Sequence, residues 1–317
     1  MRSITSLLFL FAISSMAADI RLGIIGTDTS HVIAFTKILN DPKNPNYIPG
    51  ARVVAAFKGG SKDIESSYSR VDKYAEELAR DWKVEIVPDI ATLLTKVDAV
   101  LLESVDGRPH LAQARPVIAA GKPLFIDKPL SATLEDAYEI ARLAKAKNVK
   151  WFSSSSLRWA TSLAPMIQPG LKGATVWGPG PLDEHHYLEL GWYAIHASEM
   201  LFTVLGRGCE TVTRVTSADQ DEITCRWSDG RIGTVRALRP YSEFGAVVFT
   251  KDNKILQSPA KFEYSYVPMV KAIVEFFQTG KPPIDPEETL EIFSFLDAAQ
   301  KSKEQGGKPV KLRKLAY

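Results

Sequence analysis

Ile20-Arg21-Leu22-Gly23-Ile24-Ile25-Gly26-Thr27-Asp28-Thr29-Ser30-His31-Val32-Ile33-Ala34-Phe35 is the stretch on which the fold turns. An apolar run ends in a glycine. Val32, Ile33, Phe35, Ile38 and Leu39 then recur at helical spacing. A buried strand that passes at once into a helix opens a strand-helix-strand unit, and the following text repeats it. Ala51–Phe57, Val84–Val87, Ala99–Leu102, Pro123–Ile126 and Val149–Phe152 read as short strands, apolar along most of their length. Val71–Ala79, Ala91–Leu94, Leu111–Ala120 and Leu134–Lys147 read as helices between them. Strands without polar alternation are buried on both faces, which predicts a parallel sheet covered by helices on each side.

The texture changes after Phe152. Ser153–Ser156 is a polar junction, and residues 186–205 read as one helix. Thr211–Thr216, Glu222–Trp227, Arg231–Leu238 and Ala246–Thr250 alternate as strands, with a hairpin turn at Ser228-Asp229-Gly230-Arg231. Met269–Gln278 and Glu287–Lys303 close the chain as helices. The expected class is therefore α/β. A Rossmann-like, doubly wound parallel sheet occupies residues 18–152, and an α+β domain with a largely antiparallel sheet occupies 153–317.

Composition narrows the function. The chain has 317 residues, with 39 Lys+Arg against 37 Asp+Glu. A balance so near neutral excludes a nucleic-acid binder held by phosphate contacts. Two cysteines, Cys209 and Cys225, exclude a disulfide-dense scaffold and a zinc ribbon. Met1-Arg2, the apolar run Leu7–Ile13 and Ser15-Met16-Ala17 have the layout of a secretory signal peptide over residues 1–17. The run is too short to span a bilayer, and no later stretch reads as a span. The expectation is an exported protein, periplasmic or secreted, starting near Ala18. In that compartment Cys209 and Cys225 either pair or remain two buried thiols.

Several motifs follow one another in order: Gly23-Ile24-Ile25-Gly26, Val97-Asp98-Ala99-Val100, His110, Ala119-Ala120-Gly121-Lys122-Pro123, Phe125-Ile126-Asp127-Lys128-Pro129-Leu130, Gly191–Glu199, and Gly280-Lys281-Pro282-Pro283. This series resembles the Gfo/Idh/MocA family of sugar and polyol oxidoreductases over nearly all of residues 20–312. In that family a Glu-Lys-Pro motif places a lysine near the nicotinamide and the substrate hydroxyl. Lys128 matches that lysine, Asp127 stands for the glutamate, and His196 corresponds to the family's downstream histidine. Oxidising a carbinol requires a base for the hydroxyl proton and a cation for the developing alkoxide. The resemblance assigns these roles to His196 and Lys128. It also implies cofactor contacts at Gly26, Thr27, Asp28, Thr29, Ser30, His31, Lys58, Ser104 and Asp127. Substrate contacts are implied at His110, Arg158, Trp192 and Tyr193.

The departures bear on the cofactor. Where the family has Gly-x-Gly-x-x-Gly, this chain has Asp28 and His31 in place of the second and third glycines. Those glycines let backbone approach the pyrophosphate and let helix pack on strand. The turn Phe57-Lys58-Gly59-Gly60-Ser61-Lys62 carries two lysines and no acid, which favours NADP over NAD. Trp192 stands where the family commonly places an aspartate one turn before the histidine, so Glu189 or Glu199 is the expected replacement. His185 and His186 point apart on a helix, so no metal is expected. The leading expectation is an NADP- or NAD-dependent oxidoreductase acting on a sugar, polyol or glycoside. Two alternatives accompany it: a nicotinamide-dependent glycoside hydrolase or lyase, and a carbohydrate-binding relative without a nucleotide. A small carbohydrate is the expected partner, with homo-oligomer formation through the C-terminal sheet.

Overall fold

The computed structural model describes residues 18–317, so the leader expected at residues 1–17 lies outside it. The apolar runs become β1 (Ile20–Ile25), β2 (Ala51–Phe57), β3 (Glu85–Val87), β4 (Ala99–Leu102), β5 (Leu124–Asp127) and β6 (Trp151–Ser154). They form one sheet in the order β3-β2-β1-β4-β5-β6, every ladder parallel. Side chains leave the sheet alternately. Leu22, Ile24, Leu101 and Phe125 join the core on one face, whereas Ile25, Val100, Leu102 and Ile126 join the core on the other. The covering helices are α1 (Ser30–Asn40), α2 (Glu65–Tyr68), α3 (Val71–Trp82), α4 (Ile90–Lys96), α5 (His110–Ala119) and α6 (Leu134–Ala146). Thr29, Asp89 and Thr133 cap α1, α4 and α6 with side-chain oxygens. Strand order reverses between β1 and β4, which opens a crevice at their carboxyl ends.

The second half contains β7 (Leu171–Pro179), α7 (Ile195–Leu205), β8 (Cys209–Thr216), β9 (Gln220–Trp227), β10 (Ile232–Leu238), β11 (Gly245–Thr250), β12 (Ile255–Gln257), α8 (Val267–Thr279), α9 (Pro286–Glu304) and β13 (Val310–Lys311). Its sheet runs β12-β11-β7-β10-β9-β8-β13. Only the β7–β10 ladder is parallel. One sheet face is covered by α7 and α9. Helix α8 returns to the first half, where Met269, Val270, Ile273, Val274 and Phe276 pack into the core beside α1.

Two expectations change. Residues 186–205 do not form one helix: a single 3₁₀ turn covers Glu189–Gly191, and α7 starts only at Ile195. Asp183 accepts from the backbone of His185 and bonds His186 Nδ1, which stabilises a turn there in place of a helical start. The central strand β7 had no counterpart in the sequence reading, because Leu171-Lys172-Gly173-Ala174-Thr175-Val176-Trp177-Gly178-Pro179 carries two glycines and a proline. Cys209 and Cys225 are joined in a disulfide between β8 and β9, with Cα atoms 6.0 Å apart.

Candidate active site

A cleft of about 390 Å³ lies at the carboxyl edge of the parallel sheet, walled on the far side by the second half of the chain. Thr29, Ser30 and His31 reach it from the start of α1, Lys128 from the end of β5, and His196 from the first turn of α7. Trp192, Tyr193, Phe244, Tyr264 and Tyr266 supply aromatic walls. Lys128 is half-buried, and its Nζ lies 5.7 Å from the Tyr193 ring centroid. Burial pulls its pKa below the ordinary lysine value, with Asp127 opposing. No carboxylate pairs with Lys128 among the described residues, so its charge is available to a ligand.

His196 is buried, and its Nδ1 lies 2.6 Å from Ser155 Oγ. Ser155 Oγ accepts from Leu157 N at 3.1 Å and meets no acceptor other than His196 Nδ1 among the described residues, so its proton goes to His196 Nδ1. Burial, Lys128 and His31 together hold the imidazole well below the ordinary histidine pKa. His196 is therefore neutral at pH 7. The carboxylates expected to orient it are engaged elsewhere. Glu189 holds Arg214 and Lys303, and Glu199 holds Arg158 and the backbone of Ser155. Ser155, one residue past a strand end, orients His196 instead. The sequence carried no signal for this beyond the serine run at residues 153–156.

Other expected contacts lie off the cleft. His110 is wholly buried, and both ring nitrogens face carbonyls: Ser104 O at 2.8 Å and Leu130 O at 3.2 Å. It ties two loops together and does not reach a substrate. Arg158 is buried between Glu199 at 2.7 Å and Glu288 at 2.6 Å, so its charge is already neutralised. Lys58 pairs with Asp72 at 2.8 Å. The turn that read as acid-free therefore has a carboxylate beside it, and the sequence ground for preferring NADP is gone. Ser104 donates to Gln113, and Thr27 donates to Val71 O.

The loop after β1 can still receive a dinucleotide. Gly26 has φ +91°, and a Cβ there would lie 2.4 Å from Ser104 N, so only glycine allows the two loops this approach. The Asp28 carboxyl is turned away from the cleft and accepts from Ser67 Oγ at 2.6 Å and Val105 N at 3.1 Å. It cross-links loops where a phosphate-facing acid would repel. The N-terminus of α1 opens on the cleft through Thr29 and Ser30, with Arg70 and Ser66 on the same wall. Arg70 is exposed and makes no ion pair among the described residues. The Ser66 hydroxyl is buried without a hydrogen-bond partner. A helix N-terminus, a free guanidinium and an unpartnered hydroxyl suit a pyrophosphate. His31 is bound at Nδ1 by Asp127 Oδ2, so its backbone and not its ring addresses such a ligand.

Comparison with known proteins agrees with this architecture. The oxidoreductase family GFO_IDH_MocA, described by an NAD-binding Rossmann fold, matches residues 20–155. No curated protein matches the chain in sequence. Among solved structures, the myo-inositol 2-dehydrogenase of Lactobacillus plantarum has a TM-score of 0.75 at 16% identity, over 93% of this chain and 100% of that one. The myo-inositol dehydrogenase of Lactobacillus casei, in complex with NAD(H) and myo-inositol, gives 0.73 at 18% identity, over 95% and 98%. GenD2 from gentamicin A biosynthesis, in complex with NAD, gives 0.73 at 14% identity, over 96% and 100%. At these identities the structural likeness concerns the fold. The family match therefore covers the parallel-sheet domain, residues 20–155, and the fold shared with these dehydrogenases extends along nearly the whole chain.

Proposed function

We propose that the protein interconverts an alcohol and a carbonyl on a sugar, polyol or glycoside, with Lys128 and His196 acting on the reacting oxygen. The observation that carries this reading is that one cleft brings together Lys128, His196, the start of α1 and the wall of Trp192 and Tyr193. A bound nicotinamide supplies the hydride chemistry. The chain's own residues do the rest. Thr29, Ser30, Ser66 and Arg70 hold the dinucleotide phosphates. Lys128 stabilises negative charge on the substrate oxygen. His196 addresses the same oxygen, and its hydrogen bond from Ser155 makes its Nε2–H a donor. Trp192 and Tyr193 offer flat apolar faces of the kind that stack on a sugar ring and exclude water.

The chain acts outside the cytoplasm in this reading. The charged end, apolar run and Ser15-Met16-Ala17 motivate it, and the Cys209–Cys225 disulfide is the chemistry of an oxidising compartment. A second copy packs on the outer face of the C-terminal sheet, where Thr175, Trp177, Thr234 and Arg236 line a shallow groove. The test of function is reduction of bound NAD or NADP by a panel of inositols, aldoses and glycosides, read by nicotinamide fluorescence. Turnover of at least one in the native chain and none in Lys128→Met is expected. Equal turnover in both removes Lys128 from the mechanism.

A further inference from the structure

We propose that His31, held by Asp127, is the group of the cleft that exchanges the substrate hydroxyl proton and that His196 donates a hydrogen bond to the same oxygen, so that two imidazoles of opposite polarity flank Lys128. This rests on the reading above and names which group takes the hydroxyl proton. The His-Asp couple is formed at two positions where the sequence departs from its family pattern. His31 replaces a helix glycine, and Asp127, one methylene shorter than glutamate, leaves room for the ring.

The couple is rigidly placed. His31 Nδ1 bonds Asp127 Oδ2, and Asp127 Oδ1 accepts from Lys128 N at 2.8 Å. A carboxylate that accepts on both oxygens makes Nδ1 the donor and leaves Nε2 with a lone pair. The ring stacks on Phe35 at 5.3 Å and meets the edge of Tyr266 at 4.7 Å, and His31 lines the cleft. His196 has the reverse arrangement. Its Nδ1 receives the Ser155 proton, so its free nitrogen carries hydrogen. A carboxylate-backed imidazole accepts a proton more readily than one backed by a hydroxyl.

Glu103 neighbours the couple. It follows the in-register pair Leu102–Ile126 by one residue, which sets it beside Asp127 on the neighbouring strand. Glu103 is wholly buried, and both its carboxyl oxygens lack partners. Burial and the neighbouring Asp127 charge hold its pKa well above the ordinary glutamate value. Asp127, with partners on both oxygens, is the carboxylate of the pair placed to face an imidazolium formed on His31. In the step itself the substrate O–H bond breaks and an N–H bond forms at His31 Nε2. The electron pair stays on the oxygen, beside the Lys128 ammonium.

The test needs neither nucleotide nor substrate. Nitrogen-15 spectra of the native chain report the tautomer of each of its five histidines, with His31 assigned through His31→Gln and His196 through His196→Gln. The expected result is Nδ1–H for His31 and Nε2–H for His196. Asp127→Leu should abolish the His31 preference. Glu103→Gln, which keeps the shape of the side chain, should preserve it. An Nε2–H tautomer at His31 overturns the proposal, as does a preference unchanged in Asp127→Leu. An enzyme that turns over polyols but shows the reversed tautomers loses this proposal alone. Expected tautomers in a chain that binds no nicotinamide dinucleotide refute only the redox reading.

Discussion

His186 Nε2 lies 3.0 Å from Asp106 Oδ1 and thereby joins the loop before α7 to the loop after β4. On its other side, Nδ1 lies 2.9 Å from Asp183. Arg108 bridges Asp106 to Asp63, Ser61 donates to Asp106, and His185 also meets Asp183. Burial opposes charge on His186, but the two carboxylates hold its pKa above the ordinary histidine value. Burial likewise pushes Asp106 up, whereas His186, Arg108 and Ser61 bring it far below the usual carboxylate range. This junction sets the walls of the cleft, because Pro181 and Trp192 flank the His186 loop.

The junction makes stability depend on pH. A raised histidine pKa contributes stability that is full below the unfolded value and lost as pH climbs through the folded one. His186→Gln should cost about 1.5–3 kcal/mol near pH 6 and much less near pH 9. Thermal melts of both proteins at the two pH values check this. An equal gap at both contradicts a charged His186.

Arg158 makes a sharper prediction. Removing its guanidinium leaves Glu199 and Glu288 without their cation, and Glu199 is buried. Arg158→Ala should destabilise by about 3–5 kcal/mol, the cost of an uncompensated buried charge. Arg158→Met together with Glu199→Gln should recover part of that loss. Urea denaturation of the two variants decides between this structural role and a role in substrate binding, for which folding stability would be unchanged.

The Cys209–Cys225 disulfide closes a loop with a sequence separation of 16. A loop of that size is worth about 3 kcal/mol in the chain-entropy description. Reduction, or Cys209→Ser with Cys225→Ser, should lower the melting temperature by several degrees. Neither cysteine lines the cleft, so turnover at low temperature should persist. Non-reducing peptide mapping checks the bond itself, and two free thiols in exported protein would contradict it.

Lys128 and His196 separate by kinetics. Lys128→Met should lower turnover by about 10²–10³-fold, as loss of an oxyanion donor does. His196→Ala should lower turnover by about 10²–10³-fold in both directions, as loss of a hydrogen-bond donor to the reacting oxygen does. Both variants should melt near the native temperature, since Lys128 has no ion-pair partner among the described residues and His196 contributes one hydrogen bond to a serine. Full activity in either variant removes that residue from the mechanism.

The sheet was legible because parallel strands buried on both faces read as near-continuous apolar runs, as Ala99-Val100-Leu101-Leu102 does. Strand β7 was not, since Gly173 and Gly178 interrupt its pattern for reasons that lie in its neighbours. A Cβ at Gly178 would meet the Phe244 ring at 2.4 Å. That Lys128 and His196 line one cleft was legible from motif order. The roles of Arg158, His110 and Lys58 were not, because each is decided by a partner distant in sequence: Glu288, Leu130 and Asp72. The His31–Asp127 bond spans 96 residues and joins two positions that each read only as a departure.

The redox reading of the cleft requires a nicotinamide dinucleotide at the start of α1. Calorimetric titration of NAD, and separately NADP, into the chain from Ala18 to Tyr317 measures this directly. Saturable binding of at least one nucleotide is expected, one per chain. Arg70→Ala should weaken it by about tenfold, equivalent to ~1.4 kcal/mol for a charge-assisted phosphate contact. Absence of binding heat with both nucleotides, confirmed by unchanged melting temperature in their presence, would contradict the redox function.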